Sequence, residues 1–314
     1  VAFILAWVLF AVGARKQYYR SLMSTLQRRR LHFGDIGGIL PDQAASRVLR
    51  RALQDPDEQA ILHALDMLPY CNGVDLGDEL TSLVQHPAAP IRARVLQLLG
   101  RNGDLKHGPF VFERLHDHDP IVRAAAVEAY SAIGKNRAIR AVGRFLQDAS
   151  TEVRAAAVVG MMRYGGLDGI LSSAEQLKGM LRSEEPSERA TGARILGDIG
   201  VKNFYHPLLA LMVDPVPEVQ TAAIRSAGQM RSNELLPALI YRLEDPSTRS
   251  AASKSLVAFG DEAVKLLGRV LANPSEALPT RLAVPSILAR IGSHESMGIP
   301  PRHMEDQDEN RRSQ

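Results

Sequence analysis

The sequence predicts an all-α solenoid, that is, a row of similar helical hairpins stacked along one axis. A short pattern returns eight times: a turn of the aspartate-proline type, an arginine, small apolar residues, and a glycine eleven positions after the arginine. Its steps of 29 to 35 residues are typical of repeat proteins. Aromatic residues make up only 5% of the chain, which suits closely packed small helices better than a sandwich or barrel. The positions equivalent to the arginine are Gln59, Arg92, Arg123, Arg154, Arg189, Gln220, Arg249 and Arg281.

An uncharged apolar run opens the chain, and we predict that residues 1–14 are the end of a transmembrane helix truncated on its N-terminal side. As a helix the run would span about 21 Å of a hydrocarbon core that is about 30 Å thick. Tyrosines and Lys/Arg follow at once, as expected at the cytoplasmic interface of a membrane. The alternative is a soluble scaffold in which this run packs as a capping helix. The predicted anchor residues are Trp7, Arg15, Lys16, Tyr18, Tyr19 and Arg20.

Positive charge is concentrated near the N-terminus, where residues 15–40 are predicted to form a basic juxtamembrane segment. Residues 1–35 hold six of the 38 Lys and Arg and one of the 35 acidic residues, so the remainder carries 32 basic against 34 acidic groups. A nucleic-acid-binding groove needs a basic stripe along its face. The near-neutral repeat region therefore argues against nucleic acid and for protein partners.

Residues 105–134 illustrate one hairpin. Lys106 to Leu115 is predicted as the first helix, and Asp119-Pro120 as the N-cap and first turn of the second helix. Gly134 is expected to end that helix in a left-handed conformation. In the sixth repeat Arg231 stands in place of this glycine, which predicts a looser turn. One hairpin cannot bury its own apolar face, so neighbours must stack.

These features resemble HEAT repeats, specifically the short bacterial repeats also seen in phycobilisome-lyase proteins. The match is close from Asp117 to Val127 and from Asp148 to Val158, and the resemblance covers residues 41–292. It implies a right-handed α-solenoid of about eight HEAT-like helical hairpins. It also implies a ladder in which an aspartate six residues before the repeat arginine pairs with arginines of neighbouring repeats, although Ser183 occupies that position in one repeat. The implied ladder residues are Asp117, Arg123, Asp148, Arg154, Arg189, Arg249 and Arg281.

The order of the predicted parts has a resemblance of its own. A transmembrane helix, a basic segment with Ser21, Leu22 and Leu26, and then the repeats look like bacterial membrane proteins that fuse a nucleotide-translocase-like or major-facilitator-like transporter domain to HEAT repeats. This resemblance implies that the repeats are the regulatory arm of a transporter-like protein. Such fusions often continue into a cyclic-nucleotide-binding domain, whereas residues 293–314 are predicted here to be a disordered polar tail.

No catalytic, cofactor or metal site is predicted. The segment from His116 to Asp119 is the most ligand-like cluster, since His and carboxylate side chains suit zinc or manganese. It falls, however, in the turn between two helices, which is normally acidic and solvated in this repeat. The single cysteine, Cys71, has no evident base beside it. A HEAT-like repeat enzyme such as a chromophore lyase stays open as an alternative, because those lyases offer no portable catalytic motif.

We therefore predict a non-enzymatic, membrane-tethered scaffold that binds protein partners on the cytoplasmic side, without a small-molecule ligand. The second helices of the hairpins are expected to line a concave binding surface. Four arginines on these helices are predicted to supply charged contacts: Arg163, Arg194, Arg225 and Arg290.

Overall fold

The structure, a computed structural model, describes residues 42–70 and 76–292, and in these two ranges the regular structure is helical, without strands. The predicted transmembrane segment 1–14, the juxtamembrane segment 15–40, Cys71 and the tail 293–314 lie outside the described residues. Over the ranges that are described, no helix is both long enough and apolar enough to cross a membrane.

Sixteen α-helices in these ranges form eight consecutive hairpins. Odd numbers denote the first helix of each hairpin and even numbers the second. The first helices are α1 (Asp42–Leu53), α3 (Gly77–Leu83), α5 (Gly108–Glu113), α7 (Ile139–Val142), α9 (Gly166–Leu181), α11 (Tyr205–Leu211), α13 (Leu236–Tyr241) and α15 (Asp261–Ala272). The second helices are α2 (Glu58–Met67), α4 (Ala89–Asn102), α6 (Pro120–Gly134), α8 (Thr151–Tyr164), α10 (Pro186–Ile199), α12 (Pro217–Met230), α14 (Pro246–Phe259) and α16 (Leu278–Ile291).

Several of the second helices begin with a proline that follows an N-capping aspartate. The Asp119 side chain accepts a hydrogen bond from the Ile121 amide at 2.8 Å, with Pro120 at the first helical position. Asp245 does the same for the Ser247 amide at 2.8 Å. The cap satisfies an amide that has no partner inside the helix, and proline loses nothing at a position whose N–H is free anyway.

Two helix ends differ from the sequence-based prediction. Gly134 lies inside α6 with φ −83°, and Lys135 adopts the positive φ of 50° instead. A Cβ on Gly134 would make a tight contact of 3.0 Å with the Cβ of Ala138, and the φ of this glycine is one that any residue adopts. Arg231 (φ 51°, ψ 45°) adopts the left-handed conformation that Gly200 adopts at the end of α10, so the prediction of a looser turn was wrong.

The described helices divide into two compact units, one up to Val95 and one from Leu96, and the division falls within α4. The first unit buries Leu65 and Ile91. One ion pair of this unit joins α4 to α2, with the Arg94 Nε 2.8 Å from the Asp66 Oδ1, and another joins α1 to α3, with the Arg50 Nε 3.2 Å from the Glu79 Oε1.

In the second unit, successive second helices pack through small residues. A Cβ on Gly197 of α10 would lie 2.9 Å from the Cα of Ser226 in α12, and a Cβ on Gly228 of α12 would lie 2.8 Å from the Cα of Ser255 in α14. The backbones therefore approach closely. Large apolar residues beside these contacts, such as Ile224, are fully buried, so each hairpin covers the apolar face of its neighbour.

Candidate protein-binding surface

The repeat arginine fastens the turn inside its own hairpin. The Nη1 of Arg123 donates to the carbonyl oxygens of Asp117 (3.0 Å) and His118 (3.1 Å), which are six and five residues upstream. Carbonyls at a helix end lack partners within the helix, so these bonds satisfy them. The same two carbonyl positions accept hydrogen bonds from the guanidinium groups of Arg92, Arg154, Arg189 and Arg249.

The aspartate six residues before the arginine closes the same turn from the other side. Asp117, Asp148 and Asp214 each accept a hydrogen bond at Oδ1 from the amide two residues later, at 2.9 to 3.0 Å. Asp117 and Asp214 are buried, and Asp148 is half-buried. These side-chain-to-backbone bonds are the ordinary way in which aspartate stabilises a turn.

Ion pairs connect consecutive hairpins from α6 to the turn before α12. The Arg123 Nη2 lies 3.1 Å from the Asp148 Oδ1. The Arg189 Nε lies 2.7 Å from the Asp214 Oδ2, and its Nη2 lies 2.9 Å from Oδ1. Each carboxylate belongs to the hairpin that follows the arginine, so these contacts are links between repeats.

Arg154 takes a different partner because Ser183 occupies the aspartate position of the next hairpin. Its Nη2 pairs instead with the Glu188 carboxylate at the start of α10. The acidic group is thus supplied five residues later in the sequence.

Arg249 and Arg281 differ from the other predicted ladder residues. The hydrogen bonds of the Arg249 guanidinium go to the backbone carbonyls of Leu243 and Glu244 in its own turn. Ser275 stands where the next hairpin would place the aspartate. The Arg281 Nε is buried without a hydrogen-bond partner in the described structure, and the position after its hairpin lies beyond residue 292.

Two ladder carboxylates, those of Asp148 and Asp214, remain charged to low pH. A hydrogen bond from Arg189 lowers the pKa of Asp214, and the Val216 amide adds to this, against the opposing effect of burial. Burial raises the pKa of Asp148, but hydrogen bonds from the Ser150 amide and Arg123 outweigh it, so that pKa is also below its ordinary value. These groups consequently hold the repeats together, and because they pair with each other they are not available to a partner.

The exposed surface of the second helices carries the predicted arginines. Arg163, Arg194, Arg225 and Arg290 are all exposed, on α8, α10, α12 and α16 respectively. The Arg194 Nη2 donates to the Thr191 hydroxyl at 2.6 Å. The Arg163 Nη2 donates to the backbone carbonyl of Asp198 on the next second helix. This surface therefore has charged side chains that reach from one hairpin to the next.

Acidic groups alternate with these arginines. Glu128 on α6 and Asp198 on α10 lie on either side of Arg163. The surrounding helices partly desolvate Glu128 and raise its pKa, the charge of Asp198 adds to this, and Arg163 opposes it. The pKa of Asp198 is also raised by desolvation, while Arg163 and Arg194 oppose the shift. Both carboxylates still contact solvent.

A groove of about 530 Å³ lies between α10 and α12. Its charged and amide side chains are Arg194, Arg225, Glu218 and Gln229, and Thr221 is among the smaller residues that line it. The structure thus brings two of the four predicted arginines together, whereas Arg163 and Arg290 do not line the groove.

Sequence analysis missed the acidic members of this surface, although the repeat contains a signal for them. Glu128, Arg194 and Arg225 each lie five residues after a repeat arginine or its equivalent, and Asp198 lies nine residues after one. These two positions are one turn apart on a helix and face the same side. Charged residues that recur there mark an exposed row.

The cluster from His116 to Asp119 forms the turn before α6. The carboxylate of Asp117 accepts a hydrogen bond from the Asp119 amide, and the side chain of His118 is 87% exposed. Within residues 42–70 and 76–292, no group of three or more His, Cys, Asp or Glu side chains has the arrangement of a metal site.

The chain is an α-helical repeat protein: its hairpins stack, arginines bind the carbonyl groups of the turns, and ion pairs link consecutive repeats. The chain belongs to the HEAT-repeat family, whose profile matches residues 77–162 and 174–248. No protein of curated function gives a significant match.

Solved structures with similar folds include human deoxyhypusine hydroxylase, at 19% identity, with 80% of this chain and 96% of that chain covered and a TM-score of 0.40. The CpcE–CpcF complex of phycocyanin lyase from Nostoc sp. PCC7120 is 18% identical over 73% of this chain and 94% of that chain, with a TM-score of 0.42. Importin beta is 13% identical over 80% and 41%, with a TM-score of 0.42. Nothing about the function of this chain follows from likenesses at this level.

Proposed function

We propose that this chain is a non-enzymatic HEAT-repeat scaffold that binds a protein partner on the surface of its second helices. The observation that carries the proposal is the groove between α10 and α12, with Arg194, Arg225 and Glu218 around it. Arg194 and Arg225 are exposed at this groove, so their guanidinium groups can contact the carboxylates and carbonyl groups of a polypeptide segment.

The charges on this surface constrain the partner. Outside the ladder, the helices α6, α8, α10 and α12 carry three Arg and four acidic residues, so the surface is mixed and nearly balanced. A segment with both signs of charge in the complementary order would fit it. Arginine is favoured at protein interfaces because its planar group makes several contacts at once.

Cross-linking tests the surface directly. A photoreactive residue at exposed Gln229 is expected to form an adduct with a protein partner in the native cell. The double variant Arg194→Glu/Arg225→Glu should remove that adduct, and it should leave stability within about 0.5 kcal/mol because both arginines are exposed. A photoreactive residue at exposed Tyr241 on α13 is the matched control. Adducts of equal yield at the two positions, or adducts that survive the double variant, would contradict the proposal.

We further propose that the scaffold is tethered at the cytoplasmic face of a membrane, as the regulatory arm of a transporter-like protein. The apolar run 1–14 and the basic residues that follow it support this. Alkaline carbonate extraction of membranes is the test. Retention in the pellet, lost on deletion of residues 1–20, is the expected result, and complete release into the supernatant would contradict the tether.

A further inference from the structure

Helix α9 differs from the other first helices of the second unit. It is a continuous helix of 16 residues, whereas α5, α7, α11 and α13 have 4 to 7 residues and α15 has 12. The step from Arg154 to Arg189 is also the longest of the repeat, at 35 residues. The match to the family profile is interrupted over residues 163–173, which include the start of α9. An extra helical turn has therefore been added to the ordinary hairpin here.

The added turn exposes large apolar side chains. Leu167 is 70% exposed, Leu171 66% and Ile170 38%. Helical spacing places Leu167, Leu171, Ala174 and Lys178 on one stripe, at i, i+4, i+7 and i+11. The core side of the helix is separate from this stripe, because Leu177 and Met180 are the large residues that it buries. We name this stripe, together with Ile170, the α9 face.

The α9 face continues into an apolar groove. This groove has a volume of about 550 Å³, and Ala174 and Lys178 belong to both. Its other wall is contributed by α11 and the residue before it, with Phe204, Pro207 and Ala210. Phe204 is 38% exposed. The stripe and the groove together are long enough for a helix, since the 14 steps from Leu167 to Leu181 correspond to a rise of about 21 Å.

Charge indicates which partner fits. The first-helix segments 135–147, 166–182 and 201–213 contain seven Lys and Arg but only two acidic residues. One of those acidic residues, Glu175, already pairs with Lys178 at 3.3 Å, and the other is Asp168. Arg182 and His206 line the groove beside Lys178. This excess of basic groups contrasts with the balanced charge of the second helices.

We propose that the α9 face and its groove bind an amphipathic helix of a partner protein that carries acidic residues beside its apolar stripe. The apolar side chains of that helix would enter the groove, which is the usual helix-in-groove mode of recognition. A second copy of this chain is disfavoured because two basic faces would repel each other. A lipid surface is disfavoured because the apolar groove is recessed between two helices.

A designed peptide tests the proposal. The probe is a fluorescent helical peptide of about 16 residues with leucines at the spacing of the α9 face and glutamates beside them, and its control has lysines in place of the glutamates. Fluorescence anisotropy with the full chain is expected to show the glutamate peptide binding at least about tenfold more tightly, with a preference that falls as salt rises.

Variants locate the binding. Leu171→Ser should weaken the glutamate peptide about tenfold, whereas Leu282→Ser, which alters a leucine of similar exposure on α16, should not. The double variant Lys178→Glu/Arg182→Glu should reverse the preference between the two peptides. Thermal denaturation of each variant checks that the fold is retained.

Other outcomes would overturn the inference. Equal binding of the two peptides would contradict the preference for an acidic partner. Dimerisation of the chain that Leu171→Ser abolishes would show that a second copy occupies the α9 face. Binding to vesicles of phosphatidylcholine and phosphatidylserine without binding to the peptide would replace the helix by a lipid surface. Loss of peptide binding in Arg194→Glu/Arg225→Glu would move the site to the second helices. The cross-linking result at Gln229 is independent of all four outcomes.

Discussion

Arg189 and Asp214 form a two-point ion pair between consecutive hairpins, with nitrogen–oxygen distances of 2.7 and 2.9 Å. The same guanidinium also donates to the carbonyls of Ser183 and Glu184 at 2.9 Å each. The side chains of the pair are only 14% and 6% exposed. One arginine therefore fastens its own turn and the turn of the next repeat.

Removal of this arginine should destabilise the array. Arg189→Ala leaves the carboxylate of Asp214 without its charged partner, so we expect the free energy of unfolding to fall by more than the ~1 kcal/mol that an exposed pair contributes. Urea denaturation followed by circular dichroism measures this. Lys178→Ala removes an exposed pair with Glu175 and should change stability by less than about 1 kcal/mol. Equal effects of the two substitutions would show that the pair does not link the repeats.

Acid should weaken the same link. The pKa of Asp214 lies below its ordinary value of 3.8, so its contribution to stability is complete above that value and is lost as pH falls through the lower folded pKa. Asp214→Asn should be less stable than the wild type at neutral pH. Its stability should then decline less over the acidic window below 3.8. Denaturant titrations at several pH values provide the comparison.

Glu128 should contribute a pH dependence of stability opposite to that of Asp214. Its pKa is raised above the ordinary value of 4.5, so the folded state holds the proton more tightly, and stability falls as pH rises from 4.5 through the folded pKa. Glu128→Gln should remove this part of the pH dependence. An unchanged profile would mean that Glu128 is fully hydrated in solution.

The glycines of the second helices should resist substitution where those helices meet. A Cβ on Gly228 would lie 2.8 Å from the Cα of Ser255, and Gly228→Ala should cost about 1–3 kcal/mol through overpacking. Gly179 in α9 has nothing within 4 Å of a built Cβ, so Gly179→Ala should stabilise the chain by about 0.5–1 kcal/mol. Melting temperatures that move in opposite directions would confirm the close contact. A lower melting temperature for both variants would contradict the close contact at Gly228.

The left-handed residue after α12 offers a stabilising substitution. Arg231 has φ 51° and ψ 45°, a conformation that costs most residues about 1–2 kcal/mol and glycine little. Arg231→Gly should therefore raise the melting temperature. Gly200→Ala is the reciprocal control, because Gly200 has φ 69° and alanine is strained there. A lower melting temperature for Arg231→Gly would show that the arginine side chain contributes more than the backbone strain.

Repeat spacing predicted the helical hairpins because proline, aspartate and glycine act locally. Pro120 fixes its own φ, and Gly200 can adopt the left-handed conformation without strain, so their positions in the chain show where a helix begins or ends. The family resemblance likewise pointed to arginine–aspartate contacts between repeats. The same local reasoning was wrong at Gly134, where Lys135 adopts the positive φ, and at Arg231, which adopts the left-handed conformation although it is not a glycine.

The two proposed binding surfaces depend on contacts between residues far apart in the chain. Arg194 and Arg225 share a groove only because α10 and α12 pack side by side, and Glu188 replaces the missing aspartate opposite Arg154 for the same reason. The exposure of Leu167 and Leu171 is also decided by packing. Their helical spacing is typical of a buried face, but the position of the neighbouring helices leaves them in solvent. Periodicity reports which residues share a side of a helix. Which side is covered is decided by the packing of the whole hairpin array, since burial is a property of the neighbours as much as of the residue.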